Sequence, residues 1–174
     1  MALFRVVIDK KVLDGFKRRS LRVYPDEHIE AILGTVKFVT GYCNEDHNQI
    51  LYIHALDKVK KEIANHSMVE YHQPDDSIEL GTTLKYLGTI HSHPDPGSPG
   101  LDPKKRSMGY SREDKKSFKE SAKDSDESGA VADTVMGIAY ISKKNNRRFY
   151  GFTFYNSDFQ KLELVIAEPH NDKN

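Results

Sequence analysis

The apolar run at residues 84–90 ends in His91-Ser92-His93-Pro94, and no other stretch constrains the fold as tightly. Side chains alternate faces along an extended segment, so a strand here points His91 and His93 the same way. Pro94 then stops the strand. Two imidazoles side by side at a strand end are a common start for a metal site. The same spacing also suits two histidines on a solvated strand face, and His-x-His is too short a pattern to decide alone.

The 174 residues suit one domain, and we read 1–168 as that domain with 169–174 as a tail. Lys plus Arg count 26 against 26 Asp plus Glu. With no net charge there is no global pull toward nucleic acid or a membrane surface. Cys43 is the one cysteine, so an internal disulfide and a cysteine-based zinc site are both excluded. Any metal must rely on His, Asp, Glu and water. No apolar run approaches the roughly 20 residues that span a bilayer. The N-terminal MALFRVVIDK reads as a first strand rather than a signal peptide. The expected location is the cytoplasm.

Periodicity predicts a strand over Leu3 to Ile8 and a helix over Asp9 to Arg19, the latter closed by Tyr24-Pro25. His28 to Val39 and Ile50 to Leu56 read as a strand pair joined by residues 41–49. A short helix is possible at Val59 to Asn65, and residues 81–90 rise into the histidine strand. Residues 95–110 have loop composition. A helix is expected from Ser111 to about Ala122, followed by a polar, acidic loop over Lys123 to Asp133. Strands are predicted over Val135 to Ser142, Arg148 to Tyr155 and Leu162 to Ala167. The expected class is α+β, a central mixed sheet flanked by helices in an α/β-type sandwich.

A hydrolytic metal site needs three protein ligands, an open position, a base and a donor for the developing oxyanion. His91 and His93 can supply two ligands, and Asp114 is the candidate third. Ser111 lies one helical turn before Asp114, so both can face one cleft. Glu27 is the candidate base, with Glu30 its obvious rival. Each has a plainer reading. Ser111-x-x-Asp114 is also a capping arrangement, and Glu27 alone suits a solvated loop. His54 reads as a core or half-buried histidine, and the scattered His28, His47, His66, His72 and His170 carry no ligand pattern.

Together these residues resemble the JAMM/MPN (JAB, Mov34) zinc metallopeptidase family in its prokaryotic-type, single-domain form. Its signature is a distant glutamate, then His-x-His-Pro, then Ser-x-x-Asp. His91-Ser92-His93-Pro94 and Ser111-Arg112-Glu113-Asp114 match in order. The family's glutamate precedes a leucine-glycine pair whose glycine lies seven positions on. Glu27 with Leu33-Gly34 fits that spacing, which selects Glu27 over Glu30. The lead-in Leu87-Gly88-Thr89-Ile90 is also similar, and the resemblance spans roughly residues 12–155. Two departures stand out. The spacer between Pro94 and Ser111 is long, which admits a rival frame on Ser98 and Asp102 with one residue too many. Glu30 stands where the family often has a small residue.

The resemblance implies an MPN/JAB-like fold with a cytidine-deaminase-like core. It implies Zn2+ on His91, His93 and Asp114, Glu27 as the proton carrier and Ser111 as the oxyanion donor. The implied activity is hydrolysis of the amide bond at the C-terminus of ubiquitin or a ubiquitin-like modifier, with such conjugates as substrate. Residues 95–110 and the acidic loop are expected to wall the substrate groove. Two other classes are weighed: a catalytically silent scaffold of the same family, and a zinc hydrolase of a small-molecule amide. The silent form is expected to lack ligands, whereas every motif position is filled here. Oligomeric state is open.

Overall fold

A computed structural model describes residues 3–40, 47–59, 61–64, 69–71, 84–94, 110–128, 135–141 and 151–168. Strand β1 (Leu3–Asp9) leads directly into helix α1 (Lys10–Val23). Asp9 caps that helix by accepting the Lys11 N–H at 2.6 Å. Leu13, Phe16 and Ser20 recur at helical spacing and form its buried face. Tyr24, ahead of Pro25, takes an extended conformation and ends the helix.

Strands β2 (Ile29–Thr40) and β3 (His47–Lys58) pair antiparallel. Strands β4 (Lys61–Ala64) and β5 (Val69–Tyr71) form a separate two-stranded sheet. This corrects the helix expected at Val59 to Asn65: Val59 packs instead with Ile29 and Ala31. Strand β6 (Lys85–Pro94) carries the histidines, and helix α2 (Arg112–Ser128) follows. The helix runs past Ala122, so the front of the expected acidic loop is helical, and residues 129–133 lie outside the described set. Strands β7 (Val135–Ile141), β8 (Gly151–Asn156) and β9 (Glu163–Ala167) complete the chain.

The main sheet has seven strands in the order β8-β7-β6-β2-β3-β1-β9. β6 and β7 run parallel, as do β1 with β3 and with β9, while the other pairs are antiparallel. This is the mixed α+β sheet the sequence predicts. Leu13 and Phe16 of α1 pack on one face against Ile8, Ile32, Leu51, Ile90 and Phe154. Phe118 of α2 packs on the other against Met136, Ile138 and Tyr140. Each such fully buried side chain contributes about 1.5–3 kcal/mol.

A register irregularity near Gly88 sets which face the histidines take. Pairing with β2 slips between Tyr86 and Gly88, where Gly88 adopts φ 137°. A Cβ at Gly88 would sit 1.9 Å from the Val135 carbonyl oxygen, so no larger residue fits. The slip lets Leu87 and Ile90 share the α1 face. His91 and His93 then fall on the α2 face beside Ile138 and Tyr140, their register partners on β7.

Candidate metal centre

The candidate centre lies where the C-terminal end of β6 meets the first turn of α2. Ligand sites gather in this way at the carboxyl ends of parallel strands joined by a helix. His91 Nε2 lies 3.0 Å from His93 Nε2 and 3.1 Å from Asp114 Oδ1, and His93 Nε2 lies 3.2 Å from Asp114 Oδ2. All three side chains are largely buried.

Each of these atoms is a lone-pair donor, and at most one proton fits between the two imidazole nitrogens. Such convergence is held together either by imidazole protons donated to Asp114 or by a shared cation. Two imidazoles and a carboxylate are a donor set for a first-row divalent ion. A tetrahedral ion with ligands at about 2.1 Å spaces them roughly 3.4 Å apart, close to what is seen here. The residues therefore fit a metal ion. Burial by itself pushes the Asp114 carboxyl up, but the charges and hydrogen bonds of His91 and His93 outweigh it and hold the group well below the usual carboxylate range.

Ser111 and Asp114 also form the capping pair that the sequence admits. The Asp114 N–H donates to Ser111 Oγ at 2.9 Å, and the Ser111 N–H donates to Asp114 Oδ2 at 2.6 Å. The cap and the ligand role coexist, because the cap itself fixes the carboxylate. An acid in the first turn is further favoured by the helix dipole. Accepting one bond leaves the Ser111 hydroxyl its own proton to donate.

Glu27 is 9% exposed. Its carboxyl is raised to about 7, chiefly by burial; His93 pulls it down and Asp114 pushes it up. The charges of His93 and Asp114 thus both reach this carboxyl. Backbone alternation puts it with Ile29 and His91 on the α2 face, as Ile29 pairs with His91 in register.

Glu30, its rival, is 1% exposed and points to the α1 face. There it accepts hydrogen bonds from Arg19 Nε and, at 2.7 Å, from Arg19 Nη2, and its Oε1 lies 2.6 Å from His28 Nε2. Burial raises this carboxyl, but the bonds and charges of Arg19 and His28 win and lower it. Glu30 neither faces solvent nor enters the centre.

His54 is exposed, 3.1 Å from Thr35 Oγ1 and stacked on Tyr52, which corrects its reading as a core or half-buried histidine. His28 is buried within the Glu30 cluster. Among the described residues, His91, His93 and Asp114 are the group able to hold a metal ion. Ser98, Asp102, the segment 95–109 expected to wall a groove, His66, His72 and His170 lie outside the described residues.

Two residues near the centre escaped sequence reading. Ser92 is fully buried between the histidines, and its Oγ accepts the His28 N–H at 2.9 Å. The ring of Tyr140 packs edge-on against His93, with centroids 6.1 Å apart. Strand parity alone flags Ser92 as facing away from the ligands, but its partner comes from a segment 64 positions earlier.

The chain is similar to a solved JAB1/MPN domain protein from Archaeoglobus fulgidus, at 17% identity and a TM-score of 0.43, covering 95% of this chain and 100% of that one. It is also similar to a protein from Desulfitobacterium hafniense whose structure was determined in solution, at 15% identity and a TM-score of 0.47, covering 97% of each. No family model and no curated protein matches the chain. No helix among the described residues is long and apolar enough to cross a membrane.

Proposed function

We propose that the protein is a zinc-dependent hydrolase of amide bonds, acting at the C-terminus of ubiquitin or a ubiquitin-like modifier in the cytoplasm. One observation carries the chemistry: His91, His93 and Asp114 converge within 3.0–3.2 Å beside a buried carboxyl, Glu27, that makes no ion pair with them. The substrate class rests on the resemblance of the sequence motif to the JAMM/MPN family.

His91, His93 and Asp114 would hold the ion. When bound, zinc supplies Lewis acidity, lowering the pKa of water from about 15.7 toward roughly 7 and polarising a carbonyl. Glu27 takes the proton of the attacking water and delivers it to the leaving amine. Ser111 donates its hydroxyl proton to the tetrahedral oxyanion while its lone pair holds the Asp114 N–H.

The test is zinc content of the purified protein, then release of a dye from a ubiquitin-like C-terminal peptide with and without chelator. We expect zinc near stoichiometric and release abolished by chelation. His91→Ala and Asp114→Ala should lose both metal and activity. A protein without zinc, or release indifferent to chelator, rejects the proposal. Zinc without release from any modifier peptide rejects the substrate class.

A further inference from the structure

Glu27 lies two residues ahead of the first ladder pair of β2, Ile29 with His91. A chain leaving a helix and a turn frays at such a point unless something ties it down. The tie comes from the opposite face of the sheet. The His28 N–H donates to Ser92 Oγ at 2.9 Å, and the His28 carbonyl accepts the Ser92 N–H at 2.8 Å. Ser92 sits between the two histidines, so this pair of hydrogen bonds fixes the peptide after Glu27 directly to their strand. Alternation sends the His28 ring away from Glu27. It packs on Phe16, with centroids 5.4 Å apart, and meets Glu30, which Arg19 of α1 grips with two nitrogens.

Stability alone does not explain a charged cluster here. Replacing a buried ion pair with well-packed apolar residues is often neutral or stabilising. What directional bonds add is a fixed orientation. We propose that Ser92 and the trio of half-exposed Arg19 with buried Glu30 and His28 are positioning residues that lock the backbone at His28 and so hold the Glu27 carboxylate against the His91–His93 strand. Its kinetic consequence rests on the hydrolase reading; its structural consequence does not. A misplacement of about 1 Å at a reacting group can cost on the order of 10²-fold.

Two readouts test this, hydrogen exchange on the protein as purified and steady-state kinetics on the zinc-loaded protein with the dye-releasing peptide. Glu30→Gln keeps the shape of the side chain and is the variant least prone to unfold. In it, protection of the His28 amide should fall at least about tenfold further than that of amides in β1 and β3, whose loss reports only the global destabilisation. Ser92→Ala and Glu30→Gln should each lower kcat at least about tenfold with KM and zinc content unchanged. Ser92→Thr, which retains an acceptor oxygen, should recover most of the loss. Unchanged His28 protection in Glu30→Gln overturns the proposal, as does a loss spread evenly over the sheet. Wild-type kcat in the zinc-loaded variants also overturns it. If wild-type protein binds zinc but releases no dye, the hydrolase reading fails while the exchange result still decides this one.

Discussion

Glu27 and Glu30 lie three positions apart where β2 begins, and both are buried, yet their carboxyls respond in opposite ways. Glu27 faces the centre with no basic side chain among the described residues bonded to it, and burial lifts it to about 7. Glu30 faces α1, bonded to Arg19 and His28, and is lowered although burial opposes this. Burial raises a carboxyl only as far as partners fail to compensate. One face of the strand thus leaves its acid ready to exchange a proton, while the other makes its acid part of the framework.

The strongest way to break this contrast is chemical. Glu27→Gln should retain zinc yet lose roughly 10²- to 10⁴-fold in kcat, the range expected for removing a general base. Zinc content and dye release measured together check it, and full activity in Glu27→Gln would sink the assigned role.

A second comparison is of stability at pH 7. Removing one partner of a buried, hydrogen-bonded charge leaves the others unmatched. Arg19 is 37% exposed at its side chain, so solvent screens part of the cost. Glu30→Gln should then destabilise by roughly 1–3 kcal/mol in urea unfolding. Because the folded carboxyl is lowered, its contribution is present above the ordinary value of 4.5 and is lost as pH falls through the folded value. The deficit of Glu30→Gln should therefore shrink in acid.

Glu27 has the reverse sign. Its folded value of about 7 lies above 4.5, so the metal-free folded protein holds this proton more tightly than the unfolded chain does. That contribution to stability is whole below pH 4.5 and is lost as pH rises to about 7. Over this interval, at about 1.4 kcal/mol per pH unit, the ionised carboxylate costs at most about 3.5 kcal/mol. Metal-free Glu27→Gln should be more stable than wild type at pH 8, by roughly 1–2 kcal/mol after allowing for relaxation, and the gain should vanish by pH 4. Urea midpoints at the two values check it, and a gain equal at both would mean that the buried charge is not its source.

Local rules made much of the centre legible. Alternation places His91 and His93 together, and the Ser111-x-x-Asp114 cap mounts the acid on a helix start; neither depends on distant contacts. The choice of Glu27 over Glu30 came instead from the resemblance to the family motif, through the spacing to Leu33-Gly34; the structure turns Glu30 to the α1 face. Where the fourth strand begins was not legible, since Lys61–Ala64 is too short and polar for its period to show. The length of α2 was missed for a related reason: Lys123–Ser128 lacks an apolar stripe, so composition suggests a loop where backbone bonding continues the helix. His54 looked like core because its neighbours Ile53 and Ala55 are apolar, but a strand at the sheet's midst still turns every other side chain outward.

What the sequence by itself determined is a set of chemical groups with fixed local spacing: two histidines on one strand face, a capped aspartate, and an acid ahead of a strand. Local backbone geometry dictates those spacings, so they survive any arrangement of the rest. Only the tertiary structure decided that Asp114 meets both histidines, that Gly88 turns them toward α2, and that Arg19 and His28 claim Glu30 while no basic side chain among the described residues claims Glu27. Those outcomes depend on which side chains arrive from remote segments, and burial shifts a charge by an amount that only its assembled neighbours can set.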